Sequence, residues 1–289
     1  MNYGLTETQK NKIIEHWGNG FYEKVLQNYE LYSEKWKLSD FEFAESYALS
    51  IIFFCKSELY GDCILKIFDD DELVVEYNAL REYNGDCYVK AYGYEPGDHT
   101  NGAMLIERVF PGKILRDEPS LEKRMAVFSE LWNGLRHIEP KNPEIYSSYS
   151  DWVLNAADDI INKREDKELY VYALRAKEIY LEMTSVYDKR LLIHDDLHSR
   201  NIISCGEGKY KIVDPDGVIG DPIFETGMFI DGECSSGDLE NVEVVLNYLE
   251  KSLNIPNKIL RQCFYIPAVT YHWDIDRVRF AESILNKGK

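Results

Sequence analysis

Residues 191–217 read LLIHDDLHSRNIISCGEGKYKIVDPDG, and this decisive stretch is the most informative part of the sequence. It begins with an apolar run typical of a strand and continues into a polar loop that holds His194, Asp196 and Asn201. A second short β-like run follows and ends at Asp214. If the two runs lie side by side as strands, these polar side chains meet at one end of a hairpin.

A cluster of two carboxylates and one amide suits phosphoryl transfer. One carboxylate accepts the proton of an attacking hydroxyl, while an amide oxygen and the second carboxylate hold Mg²⁺ on a triphosphate. Little covalent chemistry is then left to the protein, so positioning and charge neutralisation dominate.

The first third of the chain has the composition of an antiparallel sheet with one inserted helix. Residues 5–36 precede it and are expected to be helical, with Thr6 as the N-cap. Runs rich in β-branched and aromatic residues predict strands, and helical spacing predicts the inserted helix. The strand-like runs are 48–55, 62–68, 87–95 and 103–110, and the helix is 71–83.

After Phe110-Pro111-Gly112 the chain turns mostly helical. Amphipathic spacing predicts helices over 120–135, 168–183, 238–252 and 257–285. A sheet-rich first part and a helix-rich second part predict an α+β, two-lobed architecture, for which a crevice between the lobes is the usual ligand site.

Composition excludes several classes of partner. The formal net charge of -18 disfavours nucleic acid and anionic membrane and favours a cationic partner, although acidity also simply keeps proteins soluble. None of the six cysteines forms a CxxC pair, which argues against a zinc knuckle or redox site. With no apolar run near the length of a bilayer span and no signal-like N-terminus, a cytoplasmic protein is expected.

The decisive stretch resembles the catalytic loop of the aminoglycoside phosphotransferase family, which has the fold of the protein kinases. The loop HDDLHSRN (194–201) is similar to the family's HGDLHxxN, and IVDPDGVIGDP (212–222) is similar to the DPKGxxGDP stretch of the streptomycin 6-phosphotransferase and hydroxyurea phosphotransferase branch. The resemblance makes Asp196 the catalytic base and Asn201 and Asp214 the Mg²⁺ ligands. His194 would brace the loop.

Upstream motifs extend the resemblance in order. Lys66 stands at the strand position of the family's ATP-phosphate lysine, and Glu76 matches the helical glutamate that pairs with it. LIERVFPG (105–112) is similar to the segment that joins the lobes, where the backbone of Glu107 and Val109 would meet the adenine edge. The implied kinase-like fold has a small β-rich N-lobe and a larger helical C-lobe. Its parts would be a nucleotide-binding lobe over 1–106, a hinge over 107–112 and a catalytic and substrate-binding lobe over 113–289.

Two departures from the family pattern bear on function. Asp195 replaces the loop glycine, and its carboxylate either raises the pKa of the neighbouring base, contacts metal or substrate, or points to solvent. No GxGxxG covers the phosphates, and the corresponding turn at 43–50 has no glycine. The donor is therefore expected to be ATP, with GTP as the alternative.

Candidate acceptor contacts lie in the second lobe. An acidic and aromatic wall would suit a polycationic, hydroxyl-bearing small molecule. A solvated helix face with one core tryptophan is the competing interpretation. The candidates are Asp231, Glu233, Trp273 and Asp274. For His198, Asp216 and Asp221, roles within loops, turns or caps are weighed above direct chemistry.

Three functions follow from these patterns. The first is transfer of the γ-phosphate of ATP to a small cationic acceptor such as an aminoglycoside antibiotic. The second keeps the chemistry and changes the acceptor to a metabolite such as an amino alcohol or a sugar. The third is a nucleotide-binding pseudokinase, which Asp195 and the glycine-free turn motivate. A kinase of protein substrates is disfavoured because no APE-like motif ends an activation segment.

Overall fold

The computed structural model describes residues 3–45, 50–68, 70–97, 102–163, 167–234, 239–272 and 274–287. Its internal contacts divide the chain into two compact units, Met1–Gly112 and Lys113–Lys289. Residues 107–112 therefore belong to the first unit. The turn expected to cover the phosphates lies partly outside the described residues, at 46–49.

The first unit is an antiparallel sheet flanked by helices. Its helices are α1 (Glu7–Trp17), α2 (Asn19–Gln27), α3 (Tyr29–Trp36) and α4 (Asp70–Tyr83). Its strands are β1 (Leu38–Phe43), β2 (Ile51–Ser57), β3 (Gly61–Phe68), β4 (Ala91–Glu95) and β5 (Gly102–Glu107). The strand order is β1-β2-β3-β5-β4, and each neighbouring pair is antiparallel. The inserted helix predicted over 71–83 is α4.

Strand alternation places the core of the first unit on one face of the sheet. Every second residue of β2 is buried, and β3 shows the same period from Cys63 onward. The helical stretch predicted over 5–36 forms as three helices rather than one. The breaks fall at Gly18 and at Asn28. The φ of Gly18 is 89°, a value that glycine adopts readily and other residues rarely do. Thr6 caps α1 in a capping box with Gln9, as its sequence predicts.

The second unit is mainly helical. Its helices are α5 (Leu121–Gly134), α6 (Tyr149–Lys163), α7 (Lys167–Thr184), α8 (Glu225–Glu233), α9 (Leu239–Leu253), α10 (Asn257–Thr270) and α11 (Ile275–Lys287). Its strands are β6 (Ser147–Ser148), β7 (Leu191–Ile193), β8 (Ile202–Gly206), β9 (Lys209–Ile212) and β10 (Val218–Gly220). The short strands form a β6-β10-β7 sheet and a separate β8–β9 hairpin.

The strand pairing around the decisive stretch differs from the predicted hairpin. The prediction paired 191–195 with 210–214, but β7 pairs with β10 and β9 pairs with β8. The physical reason is turn chemistry. A tight turn joins β8 to β9, and its three residues, Gly206, Glu207 and Gly208, all have positive φ. Because of this turn, β9 pairs with β8 and not with β7.

The single helix predicted over 257–285 is also wrong. The chain forms two helices, α10, which ends at Thr270, and α11, which begins at Ile275. Asp274 starts α11 because its Oδ1 accepts hydrogen bonds from the amides of Asp276 and Arg277, at 2.8 and 2.9 Å. An aspartate that caps a helix is a start signal, and it divides one apolar pattern into two helices.

Helix α10 is the central element of the second unit. Every residue from Leu260 to Thr270 is buried, and α8 packs against it at Gly227. A Cβ built on Gly227 would lie 2.1 Å from the carbonyl oxygen of Cys263, so the two backbones touch. Within the described residues, no helix combines the length and the apolar character that a membrane crossing requires.

Candidate active site

The loop that follows β7 is braced from inside by His194, which is fully buried. The Nδ1 of its ring accepts a hydrogen bond from the amide of Asp196 at 3.2 Å, so the proton is on Nε2, which contacts the carbonyl oxygen of Val213 at 2.8 Å. Burial lowers the pKa of His194, which keeps the ring neutral and preserves this tautomer. The histidine thus holds the loop against the end of β9.

Asp196 is fixed by the side chain of Asn201. The Asn201 Nδ2 donates to the main-chain oxygen of Asp196 at 2.9 Å and to its Oδ2 at 3.0 Å. His198 lies on the same carboxylate, with its Nε2 3.4 Å from Oδ2. The loop is closed by main-chain bonds from His198 to Asp196 and from Asn201 to His198. The carboxylate of Asp196 remains one-third exposed and therefore open to a substrate.

The β8–β9 hairpin brings Asn201 and Asp214 to its open end. The amide of Val213 donates to the carbonyl oxygen of Asn201 at 3.0 Å, which sets the two ends side by side. Asp214 is exposed and has a φ of 60°, in the left-handed region that disfavours most side chains. Asp214 therefore follows directly after the residue that pairs with Asn201, and the hairpin that carries both is β8–β9 and not the predicted one.

Asp195 is enclosed and does not point to solvent. Its side chain is 2% exposed, and its Oδ2 accepts a hydrogen bond from the hydroxyl of Tyr271 at 2.9 Å. Burial raises the pKa of Asp195 to about 7, with the Tyr271 hydrogen bond acting in the opposite direction and the Asp196 charge adding to the rise.

Glu225 is a site residue that sequence reasoning missed. It is the first residue of α8, is 2% exposed, and its Oε1 accepts the backbone amide of His194. Burial raises the pKa of Glu225 to about 8. The available signal was an acidic residue set among apolar ones three positions after the proline of the Gly-Asp-Pro turn, because a carboxylate is buried among apolar residues only when it has a partner.

Tyr271 and Trp152 were also missed, and no pattern marked them among 21 tyrosines and 5 tryptophans. Their rings stack with a centroid distance of 5.9 Å and an interplanar angle of 8°. Trp152 is 46% exposed, so one face of this pair meets solvent. The pair joins α6 to the chain that follows α10.

The first unit holds the predicted lysine–glutamate pair. Lys66 on β3 and Glu76 on α4 are joined by a salt bridge of 2.5 Å between Nζ and Oε2. Their side chains are 12% and 10% exposed, so the pair is mostly shielded from water. A carboxylate in this place fixes the direction of the lysine ammonium.

The segment predicted to meet adenine follows β5. Glu107 pairs with Lys90: its amide donates to the Lys90 carbonyl at 2.9 Å, and its Oε2 accepts the Lys90 amide at 3.0 Å. The amide of Glu107 is therefore already used. Val109 is half-buried two residues further on.

The four acceptor candidates meet different surroundings. Asp231 contacts Arg277, and its Oδ2 lies 2.8 Å from the Nε2 of His272. Asp274 is exposed and caps α11. Trp273 lies outside the described residues.

Glu233 is fully enclosed between two arginines. Its Oε2 accepts from Arg124 at 2.8 Å and from Arg116 at 3.1 Å. Removing one partner of a buried ion pair destabilises the fold, so this enclosed residue is set apart from the other acceptor candidates.

Asp221 and Asp216 take roles in turns. Asp221 accepts from the amide of Ile223 at 3.1 Å and from that of Lys189 at 3.2 Å, and it caps the short 3₁₀ helix Pro222–Phe224. The amide of Asp216 donates to the carbonyl of His194 at 3.0 Å while its side chain is exposed.

A sheet unit with a buried lysine–glutamate pair, followed by a helical unit with an H-x-D-x-x-x-x-N loop, defines the kinase-like class of α+β proteins. The structure is similar to that of a thermostable mutant of the aminoglycoside phosphotransferase APH(4)-Ia in a ternary complex with ADP and hygromycin B, with a TM-score of 0.62 and 14% identity over 89% of this chain and 96% of that one. It is also similar to an ethanolamine kinase from Plasmodium vivax, with a TM-score of 0.61 and 11% identity over 99% and 96% of the two chains. The predicted fold class is confirmed.

A family model described as aminoglycoside/hydroxyurea antibiotic resistance kinase matches residues 62–271. Because this is most of the chain, the protein belongs to that family. It is 25% identical over 161 residues to streptomycin 6-kinase from Streptomyces griseus. The aligned region covers 54% of this chain and 50% of that enzyme, so the chain spans about half the length of this relative.

Proposed function

We propose that this protein transfers the γ-phosphate of ATP to a hydroxyl of a small cationic molecule, such as an aminoglycoside antibiotic. The observation that carries the proposal is the double hydrogen bond from Asn201 to Asp196. It holds a partly exposed carboxylate in one orientation, as a general base requires, within a family of antibiotic resistance kinases.

Asp196 is the proposed base. Its carboxylate accepts the proton of the acceptor hydroxyl as that oxygen attacks the γ-phosphorus. The bond from the γ-phosphorus to the β–γ bridging oxygen breaks, and its electron pair leaves with ADP. The product is a phosphate monoester of the acceptor.

Asn201 and Asp214 are the proposed Mg²⁺ ligands. Both offer oxygen, which suits this cation, and because the Nδ2 of Asn201 is bonded to Asp196, its Oδ1 is the atom that we propose as the ligand. Within the described residues, no group of three or more His, Cys, Asp or Glu side chains forms a metal cage. Two protein ligands fit Mg²⁺ on a nucleotide, because this cation keeps waters and takes phosphate oxygens. When bound, Mg²⁺ neutralises charge on the phosphates.

The nucleotide contacts are proposed for the first unit. Lys66, aimed by Glu76, supplies a positive charge to the α- and β-phosphates. The backbone at Glu107 and Val109 meets the adenine edge. Since the backbone amide of Glu107 already donates to the carbonyl oxygen of Lys90, we do not propose that this amide contacts adenine. ATP is the proposed donor, with GTP as the alternative, and both are to be compared.

The acceptor contacts are proposed for Asp231, Asp274 and the exposed face of Trp152. A net charge of -18 draws cations to the protein as a whole, and the acidic and aromatic groups near residue 272 give local binding. The undescribed Trp273 stays within this proposal by its sequence position. Glu233 is left out because its side chain is fully buried between two arginines, whereas Asp231, although paired with Arg277, keeps a tenth of its side chain exposed.

The direct test is transfer of label from γ-³²P-ATP with Mg²⁺ to a panel of acceptors: streptomycin, hygromycin B, spectinomycin, hydroxyurea, ethanolamine and choline. We expect labelled aminoglycoside, lost when EDTA removes the metal. Labelling of ethanolamine or choline alone would favour the amino-alcohol kinase. Nucleotide binding without transfer to any member would support the pseudokinase and contradict our proposal.

The charge of Asp274 offers a matched test of the acceptor surface. Asn caps a helix as well as Asp does, so Asp274→Asn removes the charge and keeps α11. We expect the KM for the cationic acceptor to rise several-fold and the KM for ATP to stay the same. Equal KM values for the acceptor in both proteins would remove Asp274 from the site.

A further inference from the structure

Asp195 combines two features that are costly in a folded protein. Its φ is 70°, in the left-handed region that residues other than glycine rarely adopt, and the family's loop has glycine there. Its carboxyl is also enclosed, at 2% exposure. A residue held in a disfavoured conformation persists only when its surroundings fix it, and such positions concentrate at functional sites.

The surroundings that fix Asp195 come from two helices. The hydroxyl of Tyr271 donates to Oδ2 at 2.9 Å. Tyr271 directly follows the buried helix α10, and its ring stacks on Trp152 of α6. The carboxyl is therefore tied to a rigid part of the second unit through a single hydrogen bond.

The other oxygen of Asp195 has no comparable contact. Oδ1 is buried and has no hydrogen-bond partner within the part of the chain that the structure describes. The titratable groups that face this carboxyl are Tyr271, Asp196 of the same loop, Glu225 of α8 and Tyr149 of α6. Burial raises the pKa of both tyrosines, so both stay neutral, and neither carboxylate offers a balancing positive charge.

We propose that Asp195 is a positioning residue for phosphoryl transfer: its hydrogen bond with Tyr271 anchors the left-handed turn that aims Asp196. The inference rests on the proposed function. The turn comes immediately before Asp196, whose amide is bound to His194 and whose carboxylate is bound to Asn201. Asp195 lies between His194 and Asp196 in the chain, and the Tyr271 bond holds its side chain.

This arrangement makes the two residues dependent on each other. Without the Tyr271 hydroxyl, a buried carboxyl loses its one hydrogen bond while its backbone stays in a disfavoured conformation, so the loop would open. With glycine at 195 the same backbone conformation needs no anchor. Glycine at 195 should therefore remove the need for the Tyr271 hydroxyl.

The test compares the wild type with Tyr271→Phe, Asp195→Gly and the double variant, with Tyr170→Phe on the exposed face of α7 as the control. Amide hydrogen exchange of the peptide covering 194–201 is measured on the free protein, and kcat and KM are measured on the best acceptor. We expect Tyr271→Phe to speed exchange in this peptide and to lower kcat at least tenfold with the KM for ATP unchanged. The double variant should return both quantities to those of Asp195→Gly, and Tyr170→Phe should change neither.

Independent, additive effects of the two substitutions would overturn the proposal, as would unchanged loop exchange in Tyr271→Phe. The exchange experiment needs no acceptor, so it separates this proposal from the previous one. If the wild type transfers phosphate to no acceptor, the proposed function fails. If transfer occurs but glycine does not rescue Tyr271→Phe, the positioning role alone fails.

Discussion

The side-chain nitrogen of Asn201 donates to two oxygens of Asp196, one on the main chain and one on the carboxylate, at 2.9 and 3.0 Å. One amide thus fixes both the backbone and the side chain of the proposed base. The same contacts orient the amide so that its oxygen is directed elsewhere, which is what a metal ligand requires. The proposed base and the proposed metal ligand are therefore linked through the side chain of Asn201.

The first prediction concerns the base. Asp196→Asn keeps the shape and the hydrogen-bonding oxygen but cannot take up the proton, so transfer should fall about a thousandfold. The measurement is the single-turnover rate with labelled ATP. The unfolding temperature serves as the control and should change little. A rate within tenfold of the wild type would exclude Asp196 as the base.

The second prediction concerns the salt bridge between Lys66 and Glu76. Removing one member leaves the other charge poorly solvated, so Lys66→Met and Glu76→Gln should each cost about 2–3 kcal/mol of unfolding free energy. The double variant should cost less than the sum, because no unpaired charge remains. Urea unfolding of the four proteins measures this.

The same four proteins test the role of Lys66 in nucleotide binding. Lys66→Met should weaken binding of the ATP analogue AMP-PNP with Mg²⁺. Glu76→Gln should weaken it less, because the Lys66 ammonium is still present and only the carboxylate that orients it is lost. Equal affinities in all four would show that the pair is purely structural.

The third prediction concerns Glu233, which we expect to act on stability and not on acceptor binding. Glu233→Gln leaves two arginines facing a neutral group and should destabilise the protein by about 3 kcal/mol. Calorimetric or urea unfolding gives this value. The KM for the acceptor, measured well below the unfolding temperature, should stay unchanged, and a large rise in this KM would return Glu233 to the acceptor site.

The fourth prediction concerns pH. Burial raises the pKa of Asp195 to about 7 and that of Glu225 to about 8, whereas both lie near 4 in the unfolded chain. Between these values the folded state holds more protons, so the free energy of unfolding falls as pH rises from about 4 to about 8. The stabilisation is complete below pH 4 and lost above pH 8.

A charge-free double variant, Asp195→Asn with Glu225→Gln, should lose this dependence. Relative to the wild type, its free energy of unfolding should rise between pH 5 and pH 8, as measured by urea unfolding followed by circular dichroism. The exposed Asp188→Asn serves as the control and should track the wild type. A constant difference between the double variant and the wild type at both pH values would refute the shifted pKa values.

Local patterns predicted most of the secondary structure. Runs rich in β-branched and aromatic residues identified the strands β2, β3 and β5, and helical spacing of apolar residues identified α4, α5, α7 and α9. The break between α10 and α11 was missed, since the apolar spacing runs across it and only the cap at Asp274 separates the helices. The pairing of β7 with β10 was missed because it joins segments that are apart in sequence.

In the candidate site as well, the residues in local motifs could be predicted and those brought in by distant segments could not. The residues of the loop and of the lysine–glutamate pair lie in short motifs, so the sequence could identify them. Glu225, Tyr271 and Trp152 reach the site through tertiary packing of α8, α10 and α6. A resemblance in a motif gives no information on such contacts, because it does not say which helix packs behind the loop.

The close approach of α8 to α10 at Gly227 has a consequence for how the gene tolerates variation. Because there is no space for even a methyl group, the residue at position 227 determines how closely α8 approaches α10, the helix that leads to Tyr271. In a saturation library selected by survival on an antibiotic, only glycine should be recovered at position 227, while neighbouring solvent-exposed positions should accept many residues.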